Sequence, residues 1–275
     1  MYYKNFITRF ILRKNLLKRV LWRIKQEWRK LTRNEFDDIK FIFKLLGKEP
    51  QTIFDVGANI GYVTFQFRKR FNSANIYSFE PNPTVFSKLS QSFLKDKKVH
   101  PLNRGVGATN GILNFYKNNN SGTSSFLKPS TFHLKNLART FEEINIEIIN
   151  LTDYCMQNSL KNVDILKLDI EGFEIEALKG FTTFLIQKKV DIIYLEVNLS
   201  ELYENQPVID DVISFLFGYK YLLYGFYGIN ETETRQTLLT NLLFISDKVA
   251  SDINIKHGKE LINLGRTSFA VNENR

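Results

Sequence analysis

The sequence predicts an α/β protein built on a doubly wound, mostly parallel sheet. Apolar runs of strand length alternate with segments of helical periodicity along residues 34–246. Two of these runs, 52–56 and 75–79, carry an acidic residue at their end, and the first breaks into a glycine turn at 57–61. A strand, a glycine turn and a helix in this order direct a carboxylate and bare backbone N–H groups at one point. That geometry is typical of sheets that bind a nucleoside-bearing ligand.

The first half of this region predicts helices and strands in alternation. Asn34 is expected to cap a helix that ends at Gly47, since both residue types favour helix ends. The elements predicted next are a strand at 52–56, a helix at 61–71, a strand at 75–79, a helix that begins near Pro83 and a strand at 99–102. Residues 105–116 then suggest a hairpin, and the polar stretch 118–125 suggests a mobile loop.

The second half continues the alternation. Its predicted elements are a strand at 144–151, a short helix capped by Thr152, a strand at 163–168, a helix through Ile175, Leu178 and Phe184, a strand at 190–197, a helix near Pro207 and an antiparallel pair formed by 219–226 and 242–245. We expect strand 163–168 to lie beside strand 52–56, because the fold places them together. Residues 247–275 are treated as a C-terminal tail.

Residues 1–33 form a basic arm. They contain eleven Lys or Arg residues against one acid, Glu27, a net charge of +10; with a total of +9, the other residues carry −1. Apolar residues recur at helical spacing in the arm, which predicts a basic amphipathic helix. Such a helix either contacts an anionic membrane surface or a partner, or docks on its own domain, and both readings stay open. The neutral body argues against a nucleic-acid partner.

Cysteine content and apolar runs indicate the compartment. The single Cys155 excludes an internal disulfide framework and is expected to be a buried, inert thiol. The chain has no apolar run long enough for a transmembrane span or a signal peptide. These features predict a cytoplasmic protein that the arm could hold at the inner face of the membrane.

Three motifs resemble, in order, those of the FkbM family of class I S-adenosylmethionine-dependent methyltransferases. They are Asp55-Val-Gly-Ala-Asn-Ile-Gly61, Phe79-Glu-Pro-Asn82 and Asp164-Ile-Leu-Lys-Leu-Asp-Ile-Glu-Gly172, and Gly122-Thr-Ser-Ser125 resembles the small-residue loop between them. The resemblance covers roughly residues 50–220. It implies a seven-stranded Rossmann-like methyltransferase sheet with a closing antiparallel strand, S-adenosylmethionine as methyl donor and S-adenosylhomocysteine as product.

The same resemblance implies a cofactor-binding set. Gly57 and Gly61 would let the backbone approach the methionine part, Asp55 would lie near its amino acid portion, Glu80 would accept both ribose hydroxyls, and residues 103–106 would contact adenine. The full predicted set is Asp55, Gly57, Asn59, Gly61, Glu80, Asn82, Arg104, Gly105 and Asp169. Asn59 stands where a dinucleotide turn has glycine, which disfavours a nicotinamide oxidoreductase.

Asp169 and Glu171 are the predicted catalytic residues. Methyl transfer to a hydroxyl is helped by a base that removes the proton, and Asp169 is the first candidate and Glu171 the second. Either could instead bind sugar hydroxyls or the ammonium group of the cofactor. A Mg²⁺ site formed with Glu196 is a rival reading, although we expect no metal.

Four further residues are open to a functional interpretation and to a purely structural one. His133 could be a general base, Ser124 and Ser125 could line the pocket, and Tyr203 could touch the acceptor. Packing or ordinary loop structure explains each of them as well.

The sequence therefore predicts an O-methyltransferase that acts on a hydroxyl of a sugar or glycan intermediate. One alternative is a non-catalytic cofactor-binding or scaffold protein in a glycan assembly complex. Another is an N- or RNA-methyltransferase, but Asp169-Ile-Glu-Gly172 stands where its Asn/Asp-Pro-Pro-aromatic motif is expected.

Overall fold

The structure is a computed structural model that describes residues 34–118, 121–131, 140–231 and 237–257. The predicted basic arm, His133 and residues 258–275 lie outside the described residues. Two compact units divide the chain, Met1–Asp38 and Ile39–Arg275. Helix α1 (Glu35–Leu46) begins as predicted, because Asn34 Oδ1 accepts hydrogen bonds from the backbone N–H groups of Phe36 at 2.9 Å and Asp37 at 3.3 Å.

The second unit alternates strands and helices along the chain. In order these are β1 (Thr52–Val56), α2 (Tyr62–Arg70), β2 (Asn75–Phe79), α3 (Pro83–Ser92), β3 (Val99–Leu102), β4 (Gly105–Val106), β5 (Gly111–Asn118), β6 (Phe141–Ile149), α4 (Leu151–Gln157), β7 (Val163–Leu168), α5 (Glu174–Lys179), α6 (Thr182–Ile186), β8 (Val190–Asn198), α7 (Ile209–Gly218), β9 (Tyr221–Glu231), β10 (Thr237–Ser246) and α8 (Asp247–His257). None of the described helices is long and apolar enough to cross a membrane.

Seven strands form the main sheet, in the order β3-β2-β1-β7-β8-β10-β9. Strands β3, β2, β1, β7 and β8 are parallel, and β10 runs antiparallel to both of its neighbours. The predicted mostly parallel sheet with a closing antiparallel strand is therefore confirmed. The predicted pairing of strand 163–168 with strand 52–56 is confirmed as well.

The central strands are buried because helices and loops cover the sheet. Every residue of β7 is buried, which explains why four of its six residues are apolar. Phe54 on β1 packs edge-on against Phe79 at a ring-centroid distance of 5.4 Å and stacks on Phe181 at 6.2 Å. Cys155 is fully buried in the same core, and burial raises the pKa of its thiol to about 12. An inert thiol is the expected consequence.

A second, three-stranded sheet corrects the predicted hairpin. Strands β4 and β5 do not pair with each other, because β6 lies between them, parallel to β4 and antiparallel to β5. The partner residues of the two strands thus lie between 23 (Asn118↔Phe141) and 43 (Gly105↔Ile148) positions further along the chain. Residues 105–116 alone do not reveal them.

Two details of the helices also differ from the prediction. Asn150 caps α4, since its Oδ1 accepts from the Asp153 N–H at 3.1 Å, whereas the predicted cap, Thr152, donates its hydroxyl to the Gly180 carbonyl at 2.8 Å. The single helix predicted after residue 172 is two short helices, α5 and α6, with Gly180 between them. A Cβ on Gly180 would lie 2.2 Å from the Gly107 carbonyl oxygen, so this close approach requires glycine.

Candidate active site

A cavity of about 300 Å³ opens at the C-terminal ends of β1, β2, β7 and β8, and we call it the strand-end cavity. Parallel α/β sheets place ligands at this edge. The cavity is lined by Gly57, Asn59, Glu80, Pro81, Phe115, Gly122, Thr123, Ser124, Phe126, Asp169, Ile170, Glu171, Glu196, Asn198, Leu202 and Leu239. Strand ends far apart in sequence and the polar loop after β5 thus meet around one space.

Hydrogen bonds within the protein occupy backbone N–H groups of the glycine turn after β1. The N–H groups of Gly57 and Ala58 donate to the Phe79 carbonyl at 2.9 and 3.0 Å, and the N–H of Gly61 donates to Ala58 O at 2.9 Å. The expectation of bare N–H groups aimed at a ligand is therefore wrong for these three residues. The carbonyl at the end of β2 accepts two of these hydrogen bonds, so β2 packs directly against the turn.

Both glycines are required by packing inside the protein. Gly57 has φ +77°, and a Cβ there would lie 1.8 Å from the Asp169 carbonyl oxygen. Gly61 has φ +97°, and a Cβ would lie 2.5 Å from the ring of Phe93. Gly57 lines the strand-end cavity, whereas Gly61 is absent from its lining.

Glu80 follows β2 and is buried with its carboxylate on the cavity wall. One oxygen, Oε2, accepts from the Asn59 N–H and the other, Oε1, accepts from the Asn82 N–H, both at 2.8 Å. Burial raises the pKa of Glu80 to about 7, although the two backbone donors oppose the shift. Because a carboxylate has about four acceptor positions, both oxygens keep capacity for a diol.

The other residues predicted around the nucleoside are absent from the cavity lining. Asn82 is buried and caps α3, with Oδ1 accepting from Thr84 N at 3.1 Å. Arg104 pairs with Glu147 at 3.1 Å on the surface. Gly105 is buried under the Phe126 ring, which a Cβ would approach to 2.3 Å.

Asp55 lies beneath the turn, fully buried and outside the cavity lining. Its Oδ2 accepts from the Thr64 hydroxyl at 2.6 Å, and its Oδ1 lies 3.3 Å from the Lys167 ammonium. Asp55 stands opposite Lys167 in the β1–β7 register, which brings the two side chains together. The structure therefore places Asp55 where it supports the turn.

Lys167 is the residue that sequence reasoning missed. Its ammonium is almost fully buried, donates to the Gly57 carbonyl at 3.0 Å, and lies 3.3 Å from both Asp55 and Asp169. Burial alone would lower the pKa of Lys167, but the two carboxylates raise it above its ordinary value. A signal was present, because a lysine inside the apolar run of β7 needs a buried partner.

Three carboxylates meet at one end of the strand-end cavity. Oxygens of Asp169, Glu171 and Glu196 all lie within 4.8 Å of one another. Burial and the charges of Asp169 and Glu196 raise the pKa of Glu171 well above its ordinary value, and burial with the charge of Asp169 raises that of Glu196 to about 8. Such a cluster favours the binding of a proton or another cation.

Glu171 is fixed from several sides. It has φ +56°, and its Oε2 accepts from Asn198 Nδ2 and from the Tyr203 hydroxyl, both at 3.2 Å. Ser125 donates its hydroxyl to the Glu171 carbonyl at 2.8 Å. The single proton of the Tyr203 hydroxyl is donated either to Glu171 Oε2 or to Thr123 O, which lies 2.8 Å away, so Tyr203 connects Glu171 to the loop after β5.

Glu174 stabilises the loop that carries Asp169 and Glu171. Its buried carboxylate accepts from the N–H groups of Ile170 at 3.0 Å and Gly172 at 3.3 Å. Burial raises the pKa of Glu174 to about 7. The loop that carries Asp169 and Glu171 is thus organised before a ligand binds.

The fold and this cavity define an α/β protein with a nucleoside-type site at its strand ends. A model of the methyltransferase FkbM domain matches residues 55–223. The chain therefore belongs to the FkbM methyltransferase family and is an S-adenosylmethionine-dependent methyltransferase. The recognition made from the three motifs is confirmed.

Individual relatives are distant in sequence. The chain is 25% identical over 183 residues to 2-O-methyltransferase NoeI of Sinorhizobium fredii, covering 64% of this chain and 74% of that protein. It is 26% identical over 181 residues to the hexuronic acid methyltransferase AglP of Haloferax volcanii, covering 65% of this chain and 66% of that protein. A crystal structure of a methyltransferase FkbM from Methylobacillus flagellatus superposes with a TM-score of 0.45 at 14% identity, over 70% of this chain and 43% of that one.

The residues of the strand-end cavity fit S-adenosylmethionine. Glu80 offers two carboxylate oxygens with remaining acceptor capacity, which suits the two hydroxyls of a ribose. The three clustered carboxylates suit a ligand that carries a sulfonium and an ammonium. Gly57, Asn59 and Pro81 add uncharged residues to the lining of the same cavity.

Proposed function

We propose that this protein is an O-methyltransferase that methylates a hydroxyl group of a saccharide. The meeting of Asp169, Glu171 and Glu196 in the same cavity as Glu80 carries the proposal, because it joins a diol-binding carboxylate to a group of proton acceptors. The names of the two curated relatives, a 2-O-methyltransferase and a hexuronic acid methyltransferase, support an oxygen acceptor on a sugar.

S-adenosylmethionine supplies an electrophilic methyl group when it is bound. Glu80 holds the ribose, while Gly57, Asn59 and Asp169 line the rest of the cofactor site. Asn82 fixes Glu80 through its backbone N–H, Asp55 fixes the turn through Lys167, and Gly61, Arg104 and Gly105 complete the proposed cofactor-binding set. The acceptor hydroxyl is held at the acidic end of the strand-end cavity. Most of the rate gain comes from holding it in line with the methyl group.

A carboxylate at this end accepts the hydroxyl proton. Asp169 is the proposed base, since its side chain is 35% exposed to the cavity and is held in place by Lys167 at 3.3 Å. Glu171 is the second candidate, because its raised pKa increases its affinity for a proton. A base of raised pKa works only at a pH above that raised pKa, where it is ionised.

Calorimetric titration with S-adenosylhomocysteine tests the cofactor site. We expect binding by the full chain and at least about tenfold weaker binding by Glu80→Ala, which is about 1.4 kcal/mol. Glu176→Ala, which removes the exposed partner of Lys179 outside the cavity lining, is the matched control and should bind normally. A chain that does not bind S-adenosylhomocysteine would refute the enzyme and leave a scaffold role.

Transfer of labelled methyl groups to saccharides tests the acceptor. Asp169→Asn should lower kcat by about 100-fold, as loss of a general base does, with a smaller change in S-adenosylhomocysteine affinity. Label that appears on amines or RNA, and on no sugar hydroxyl, would contradict the proposal. If the label appears on a hydroxyl and Asp169→Asn is fully active, Asp169 is not the base, and Glu171 becomes the candidate for that role.

A further inference from the structure

We propose that a groove beside the strand-end cavity binds the additional sugar units of an oligosaccharide acceptor. This inference rests on the proposed function. We call this groove the acceptor groove. It has a volume of about 520 Å³ and is lined by residues of β5, of the segment 126–128 and of residues 204 and 205. The lining residues used below are Asn114, Tyr116, Phe126, Lys128 and Glu204.

The acceptor groove and the strand-end cavity share one lining residue, Phe126. Its ring is fixed between Phe115, at a centroid distance of 4.8 Å, and Phe173, at 5.3 Å. An oligosaccharide bound in both spaces would therefore contact the Phe126 ring.

The lining of the acceptor groove has the chemistry that sugars need. Sugar rings present apolar C–H faces to aromatic rings and hydroxyls to polar side chains, and Tyr116 and Asn114 supply one of each. Lys128 and Glu204 form an ion pair of 3.1 Å at the rim and are 60% and 45% exposed. The groove is thus open to water and close to neutral, which suits an uncharged chain that leaves the protein.

A strand of another protein is the less suitable occupant. Such a strand would bind by hydrogen bonds to the free edge of β5. At Tyr116 that edge is taken, because its N–H donates to Ser125 O at 2.8 Å and its carbonyl accepts from Ser125 N at 3.2 Å. At this position the backbone beside the groove is already paired, whereas the groove's side chains remain accessible.

An array of mono- to hexasaccharides, probed with the full chain saturated with S-adenosylhomocysteine, tests the groove. We expect a tetrasaccharide to bind about tenfold more tightly than its component monosaccharide. The double variant Asn114→Ala/Tyr116→Ala should lose that advantage and keep its affinity for the monosaccharide and for S-adenosylhomocysteine. Phe226→Ala, which removes an exposed aromatic ring outside the groove, is the matched control. If the double variant does not fold, the exposed Asn114→Ala alone should still lose part of the advantage.

Each result decides for or against the groove. Equal binding of mono- and tetrasaccharides, a double variant with an intact advantage, or an array that retains no saccharide would overturn the inference. If S-adenosylhomocysteine binds and a monosaccharide is methylated while no length advantage exists, the groove alone is refuted. If no hydroxyl is methylated while long saccharides still bind through Tyr116, the proposed function fails and the groove stands.

Discussion

Replacing Lys167 by methionine tests whether one buried cation organises the strand-end cavity. The change removes the ammonium from between Asp55 and Asp169 and keeps most of the apolar stem. Asp55 is fully buried, so its charge would lose the cation 3.3 Å away without gaining water. Removing one partner of a buried ion pair costs roughly 3–5 kcal/mol. At roughly 2–4 °C for each kcal/mol, Tm should fall by about 10 °C.

Thermal unfolding followed by far-ultraviolet circular dichroism measures this loss. Lys179→Met is the matched control, because Lys179 pairs with Glu176 on the surface at 2.6 Å and such pairs contribute at most about 1 kcal/mol. The double variant Lys167→Met/Asp55→Asn should recover part of the lost Tm, since it removes the orphaned charge. A Lys167→Met protein as stable as the control, or a double variant no better than the single one, would refute this reasoning.

Three further predictions concern other buried groups. Gly57→Ala should unfold the protein or cost more than about 3 kcal/mol in thermal unfolding, because its Cβ has no room, whereas Gly218→Ala, with no atom within 4 Å, should be tolerated. The pKa values of Glu80 and Glu174 rise from 4.5 to about 7 on folding, so their stabilising effect is full below pH 4.5 and is lost as the pH rises to about 7. At 1.36 kcal/mol for each pKa unit, the lost stabilisation is about 3 kcal/mol per group. Tm should therefore fall between pH 5 and pH 8, and it should fall less in Glu174→Gln. A Tm that stays constant or rises over this range would contradict the prediction. Cys155 should react with a thiol reagent only at the rate of unfolding, and fast labelling of the folded protein would show that it is not buried.

The sheet could be predicted from the sequence because its strands and helices have strong local patterns. Four of the six residues in the run 163–168 are apolar, and all six are buried in a strand. Its place beside β1 followed from the fold class that the alternation predicts. The position of β6 between β4 and β5 could not be predicted, since that pairing depends on contacts between distant parts of the chain.

The candidate site was predicted in its main members and less well in their roles. Glu80, Asp169 and Glu171 line one cavity, as the motifs suggested. Gly61 is predicted to contact the cofactor, and that contact stays a prediction, but the structure adds a packing requirement, because a Cβ there would meet the ring of Phe93. A motif gives the position of a glycine and not the neighbour that requires it, because that neighbour lies on another element.

The strand order has a consequence for how the protein is made. Strand β1 lies between β2 and β7, so more than 100 residues leave the ribosome before its second neighbour is complete. Until then Gly57 has no Asp169 carbonyl to pack against, and Lys167 has not yet been synthesised. A nascent chain that ends before residue 169 therefore contains Glu80 but lacks the acidic end of the cavity. The acidic end is complete only when Glu196 has been synthesised, 140 residues after the end of β1 at Val56.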